Sequence, residues 1–285
     1  MEYNQEANTC PIPKGILVVI GGKEDKGDKK EEKNEVREEI LKTFISLIEK
    51  ENPRIEIITS ASSEGKEMFN DYKKVFSGLK AKNLGHIHHI ERREVLNDEL
   101  TERVKQADAF FFTGGDQLLL TSLYGGSKFL TQLKERYIYE KIVIGGTSAG
   151  AMALSTPMIY AGNKDEQDIT GEIKIAMGLE FLKDVCIDTH FIDRDRFVRM
   201  AQVIATNPTS IGLGIEEDTA LIIRNGVEAE VIGNSIITVI EGFEISSSNI
   251  TDYNADQKLT LRDLRVHLLA KPSKYYIQQI NPPHK

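Results

Sequence analysis

Lys141-Ile142-Val143-Ile144-Gly145-Gly146-Thr147-Ser148-Ala149-Gly150-Ala151 decides the fold. An apolar run of strand length feeds straight into glycines and a serine, and small residues suited to a helix start follow. The segment Gly146-Thr147-Ser148-Ala149-Gly150 satisfies the pattern G-x-S-x-G in the strand-turn-helix context that gives it meaning. A nucleophile on so sharp a turn needs neighbours without bulk, and the turn lifts its hydroxyl clear of the sheet. Ser148 is the candidate nucleophile.

Working outward, the same strand-then-glycine pattern recurs. Gly15-Ile-Leu-Val-Val-Ile-Gly-Gly22 is a continuous apolar run closed by two glycines, and Ala109-Phe-Phe-Phe-Thr-Gly-Gly-Asp-Gln117 is another. Residues 54–59 and 87–90 read as further strands. Between them, Val36, Ile40, Phe44 and Ile48 outline one buried helical stripe, and Met68, Tyr72, Val75, Phe76 and Leu79 outline a second. A third helix covers residues 100–104, and residues 118–139 read as helix interrupted at Gly125-Gly126. The alternation predicts an α/β fold: a mainly parallel sheet flanked by helices on both faces. From Thr219 to Ile232, two alternating runs surround Asn225-Gly226, a hairpin signal, so antiparallel strands extend the sheet toward the C-terminus. The charged residues 23–35 are expected to form a solvated loop, and the tail 246–285 to pack on the surface or stay disordered near its end.

Composition bounds the function. The 285 residues fit one large α/β domain over 1–285, with a polar N-terminal segment at 1–13 and the C-terminal tail after it. A formal net charge of -8 argues against nucleic acid. No apolar run reaches the length of a membrane span or a signal peptide, so the expected location is the cytoplasm, without membrane contact. Two cysteines, Cys10 and Cys186, make no disulfide framework, and Cys186 within Val185-Cys186-Ile187 reads as a small buried hydrophobe. No metal site or cofactor is indicated by His or acidic spacing.

A serine nucleophile needs a base, and histidine supplies one near neutral pH. Of the six histidines, His86, His88 and His89 sit in an edge strand, while His267 and His284 belong to the tail. His190 ends the apolar strand at 185–188 and opens His190-Phe-Ile-Asp-Arg-Asp-Arg196, which makes it the candidate base. An acid should orient the imidazole. Asp165, Glu166 and Asp168 lie between nucleophile and base, and Glu166 is the choice among them. The N–H of Ala149, at the helix start behind Ser148, is one expected oxyanion donor; Gly115, in the turn that ends the adjacent strand, is the second.

With these residues in place, the chain resembles the cyanophycinase family of serine peptidases, and more distantly the aspartyl dipeptidases sharing their class I glutamine amidotransferase-like fold. The resemblance spans most of residues 15–245. It rests on Gly21-Gly22-Lys23-Glu24-Asp25-Lys26, Phe112-Thr-Gly-Gly-Asp-Gln117, Gly145-Gly-Thr-Ser-Ala-Gly-Ala151, Asp188-Thr-His-Phe-Ile-Asp-Arg-Asp-Arg196 and Gly214-Ile-Glu-Glu-Asp-Thr-Ala220. It implies hydrolysis of cyanophycin, a poly-aspartate backbone bearing arginine on each β-carboxyl, to β-aspartyl-arginine dipeptides. It further implies a homodimer, and places Gln117, Asp188, Arg194 and Arg196 near the substrate; Asp116, beside Gln117, joins that set. Paired arginines suit carboxylates, and a carboxylate such as Asp188 suits a guanidinium. The alternatives are an aspartyl or isoaspartyl dipeptidase on the same scaffold and an inactive relative that only binds. A glutamine amidotransferase would need a thiolate where Ser148 stands.

Overall fold

Apolar runs that cannot meet water on either face become the inner strands of a parallel sheet. Ile16–Ile20 (β1), Arg54–Ile58 (β2), Asn83–Ile87 (β3), Ala109–Phe112 (β4) and Val143–Thr147 (β5) pair in the order β1-β5-β4-β2-β3, all parallel. In the computed structural model, which describes residues 11–26, 38–161, 173–251 and 258–277, this sheet lies between two helical layers.

Side-chain alternation along each strand divides the apolar residues between the two faces. On one face Val18, Ile20, Ile55, Ile57 and Phe111 pack against Glu39–Ser46 (α1) and Gly65–Gly78 (α2), with Phe44, Tyr72 and Phe76 around the Phe111 ring. On the other face Leu17, Val19, Phe110 and Phe112 join a larger cluster. Arg92–Asn97 (α3), Thr101–Gln106 (α4), Gln117–Tyr124 (α5), Lys128–Tyr139 (α6) and Ala149–Ala153 (α7) contribute Val95, Val104, Leu120, Leu133 and Met152 to it. The Gly125-Gly126 interruption separates α5 from α6 as expected.

After α7 the chain adds Ser155–Thr156 (β6), Met158–Ala161 (β7), Lys174–Ala176 (β8), Leu182–Lys183 (β9) and Val185–Thr189 (β10). Phe197–Thr206 (α8), Ile211–Ile215 (β11), Thr219–Arg224 (β12), Glu228–Gly233 (β13) and Ile236–Glu241 (β14) follow. The hairpin β12–β13 pairs antiparallel with β1, extending the large sheet as the Asn225-Gly226 turn foretells. The strands β10, β11 and β14 do not join it. They form a second sheet of six strands with β6, β9 and Arg265–Ala270, where β10 and β11 run parallel. Ile187, Leu213 and Ile237 from that sheet share the larger apolar cluster with Leu17 and Phe110 from the first.

Two expectations about the chain's margins change. The tail is not merely surface chain: Arg265–Ala270 pairs with β14, and Lys274–Tyr276 pairs with β13, because both supply extended backbone to otherwise open sheet edges. The charged stretch after β1 opens on exposed Lys23 and then buries Glu24, whose carboxylate accepts hydrogen bonds from the Tyr72 hydroxyl and, at 2.7 Å, from Thr147 Oγ1. The rest of that stretch, 27–35, lies outside the described residues. Cys186 is fully buried, and burial pushes its thiol well above the ordinary value, so it is an inert core residue; Cys10 lies outside the described residues. Among the described residues no helix is long and apolar enough to cross a membrane.

Phe111 is wholly buried at the centre of the aromatic cluster. Phe111→Ala is expected to lower unfolding free energy by about 3–5 kcal/mol, read as a reduced urea midpoint at an unchanged slope.

Candidate active site

Ser148 sits at φ 50°, ψ −117°, off the usual allowed regions, between β5 and α7. Its N–H donates to Ile20 O at 3.0 Å, and its own carbonyl accepts from Met152 N–H at 3.0 Å, so the turn is held on both sides. Small neighbours make it possible. A Cβ at Gly146 would stand 2.7 Å from Gly150 O, and one at Gly150 would stand 2.2 Å from Phe112 O.

His190 follows β10 with φ 50° and donates its N–H to Gly21 O at 3.0 Å. That bond bridges the two sheets. Its imidazole lies over Gly22, where a Cβ would come 2.5 Å from Nε2, so the second glycine of the β1 turn is the space the ring occupies. Gly22 has φ +102°, which glycine adopts without strain. The Nε2 of His190 stands 3.0 Å from Ser148 Oγ.

The acid that reaches the imidazole lies C-terminal to His190, not between Ser148 and His190 as expected. His190 Nδ1 donates to Glu217 Oε1 at 2.6 Å. Glu217 follows β11, the parallel neighbour of β10, so the acid and the base project from adjacent strand ends. The chosen Glu166, with Asp165 and Asp168, lies outside the described residues, and the carboxylate on the imidazole is Glu217. Its sequence signal was present in Gly214-Ile-Glu-Glu-Asp-Thr-Ala220, an apolar strand ending in acids. With Nδ1 donating to Glu217, Nε2 keeps its lone pair toward the serine hydroxyl. Burial alone would raise the Glu217 carboxyl, but hydrogen bonds from Lys23 and His190 outweigh it and hold the carboxyl below its ordinary value.

The neighbouring Glu216 does different work. It accepts from the backbone N–H groups of Ile192, Asp193 and Glu217, fixing the loop after His190 against the end of β11.

The turn ending β4 is brought to the nucleophile. A Cβ on Gly114 would lie 3.5 Å from Ser148 Cβ, and Gly115 at φ +141° presses against Ala61, whose carbonyl accepts Asp116 N–H at 2.8 Å. Ala149 opens α7 directly behind Ser148. Asp116 is the N-cap of α5, its Oδ1 accepting from Leu118 N–H at 2.8 Å; this engages the carboxylate locally. Gln117 is half-buried and donates through Nε2 to Ile159 O at 2.8 Å.

Asp188 is not exposed to a ligand. It is fully buried, and its oxygens accept from Thr189 N–H, from Arg196 Nη1 at 2.9 Å, and from Arg199 Nε and Nη2 at 2.5 Å each. A buried carboxylate requires such partners, so it anchors two arginines rather than meeting a substrate guanidinium. Arg196 also donates to Thr189 O at 2.6 Å. Arg199, one turn further on, was not singled out because it reads as an ordinary residue of α8. Arg194 is left exposed, near Lys23 at the open side of the site.

Residues 26–231 match the model of Peptidase family S51. The chain belongs to that peptidase family. It is similar to the cyanophycinase of Geminocystis herdmanii, with 32% identity over 91% of this chain and 92% of that one. It is also similar to the cyanophycinase of Synechococcus elongatus, with 30% identity over 95% of this chain and 82% of that one. Among solved structures, a peptidase from an acI-B1 Actinobacterium superposes with a TM-score of 0.64 at 21% identity, covering 92% of this chain and 97% of that one. A putative peptidase E protein from Listeria monocytogenes gives 0.51 at 18% identity, covering 78% and 99%. These likenesses establish the α/β architecture, and the S51 family makes the protein a serine-type peptidase.

The imidazole contact separates the two candidate acids by experiment. Glu217→Gln is expected to slow labelling of Ser148 by a fluorophosphonate by roughly 10²- to 10⁴-fold, measured by intact-protein mass spectrometry, whereas Glu166→Gln slows it far less.

Proposed function

We propose that this S51 peptidase hydrolyses cyanophycin to β-aspartyl-arginine dipeptides through an acyl-enzyme on Ser148. The observation that carries the reading is the unbroken chain Ser148 Oγ, His190 Nε2, His190 Nδ1, Glu217 Oε1, at 3.0 and 2.6 Å. The relatives that bear the name cyanophycinase support the choice of substrate.

In this reading Ser148 Oγ attacks the backbone amide carbonyl of the polymer while His190 Nε2 takes its proton. Negative charge grows on the carbonyl oxygen. Backbone N–H groups of Ala149 and the Gly114-Gly115 turn are the donors for it, fixed in place before the reaction by α7 and by the packing of Gly115 on Ala61. His190 then gives the proton to the leaving nitrogen, the amide C–N bond breaks, and the acyl group remains on Ser148 as an ester. A water, deprotonated by the same imidazole, hydrolyses the ester and restores the serine. Glu217 holds the ring in the needed tautomer and stabilises its charged form throughout.

The substrate's charges have partners at the open side. Arg194 is exposed and able to pair with the free α-carboxylate of an arginyl group of the polymer, while Arg196 and Arg199 stay committed to Asp188. Asp193, exposed beside Arg194, offers a carboxylate to a substrate guanidinium.

Incubation with purified cyanophycin, followed by chromatography of released dipeptide, tests the proposal. The wild-type protein is expected to release β-aspartyl-arginine and Ser148→Ala to fall by at least about 10³-fold. Arg194→Ala is expected to raise KM more than it lowers kcat. Cleavage of short aspartyl dipeptides with no attack on the polymer would replace this substrate with the smaller one.

A further inference from the structure

Lys23 occupies a place that the catalytic steps above do not use. Its ammonium lies 2.8 Å from Glu217 Oε1, the same oxygen that accepts the Nδ1–H of His190 at 2.6 Å. We infer that Lys23 is a positioning residue which, by sharing Glu217 with His190, favours the neutral imidazole and extends the working range of the base to lower pH. The inference rests on the reading of Ser148, His190 and Glu217 as one catalytic set.

Charge bookkeeping gives the direction. With Lys23 present, the three groups sum to zero when the imidazole is neutral and to one positive charge when it is protonated. Without Lys23 they would sum to minus one and zero. The ammonium therefore removes part of the attraction that would keep a proton on His190. Two nitrogens at 2.8 and 2.6 Å from one oxygen can stand no more than about 5.4 Å apart, close enough for that repulsion to matter. The environment damps the effect without abolishing it: the Lys23 side chain is 64% exposed, whereas the His190 side chain is 7% exposed. A carboxylate divided between two donors is also fixed in orientation, so Lys23 limits the rotations open to Glu217.

The backbone around Lys23 is built to hold it there. Lys23 has φ 45°, the residue before it accepts Asp218 N–H through Gly22 O at 2.9 Å, and Asp25 N–H donates to Asp218 Oδ1 at 3.1 Å. The Lys23 backbone is therefore clamped on both sides, which fixes where its side chain starts. Lysine basicity is raised here first by its bond to Glu217.

The other charged groups facing the cluster are engaged elsewhere or oppose each other. Glu24 is bonded to Tyr72 and Thr147, Glu216 to three backbone N–H groups, and Asp218 to Asp25 N–H and Asn234 Nδ2. Asp193 and Arg194 act on Lys23 with opposite signs. Lys23 is the described cation that bonds directly to the carboxylate orienting His190.

Two measurements independent of any peptide substrate test this, on wild type, Lys23→Met, Lys23→Gln and Lys23→Arg. The first is the NMR titration of the His190 Cε1–H signal, assigned by its loss in His190→Gln. The second is the pH dependence of Ser148 labelling by a fluorophosphonate. In Lys23→Met and Lys23→Gln both midpoints are expected to rise by roughly half a unit to one unit, with Lys23→Arg remaining near wild type. The gap should narrow in about 1 M salt, where the screening length falls to about 3 Å. His190 titrations that superimpose in wild type and both neutral variants, or that move to lower pH in the variants, would overturn the inference. A Ser148 that never labels would instead sink the catalytic reading, while the His190 titration still decides what Lys23 does.

Discussion

Three successive carbonyls at the end of β1 hold the site together. Ile20 O accepts the N–H of Ser148, Gly21 O accepts that of His190, and Gly22 O accepts that of Asp218. The donors come from the turn after β5 in the large sheet, from the turn after β10 in the second sheet, and from the link between β11 and β12. Buried backbone groups must find partners, so this convergence satisfies the strand ends and at the same time sets Ser148, His190 and Glu217 side by side. The site depends on where two sheets meet, and the meeting is fixed by main chain rather than by the side chains of Ser148, His190 and Glu217.

That arrangement demands backbone shapes that an isolated chain would avoid. Ser148 and His190 both hold positive φ, each at a cost of about 1–3 kcal/mol. Against a net stability of about 5–15 kcal/mol, such costs persist only where the surroundings over-determine them. The cross-sheet bonds, the void at Gly22 and the buried Glu24 under Thr147 supply that constraint. The aromatic cluster around Phe111 and the larger core on the opposite face give the sheet the rigidity on which it depends.

Charge is distributed with the same division between anchoring and exposure. Asp188 takes two guanidinium groups out of circulation, and Glu216 is consumed by backbone donors. At the open side of the site Lys23, paired with Glu217, and exposed Arg194 stand on a protein of net charge -8. The site thus carries exposed positive charge locally on a molecule that is acidic overall.

The amino-acid order by itself determined the parallel sheet and the elbow at Ser148, and it marked His190 as the histidine at a strand end. Each is a local pattern: apolar runs of strand length, glycines at their ends, and a polar residue where an apolar run stops. Four strands of the large sheet's parallel part, the β12–β13 hairpin and the break between α5 and α6 could be placed from such patterns, whereas β3 is Asn83–Ile87 and shares only Ile87 with the expected 87–90. The second sheet, the burial of Asp188 and the identity of Glu217 as the imidazole's partner were decided only by the tertiary structure. Glu217 is 27 residues beyond His190 along the chain, and its nearness follows from β10 and β11 lying in parallel register, a pairing no single segment encodes. For the same reason Lys23 reads as one charge in a polar run, until the end of β1 is packed against the end of β11 and its ammonium meets that carboxylate.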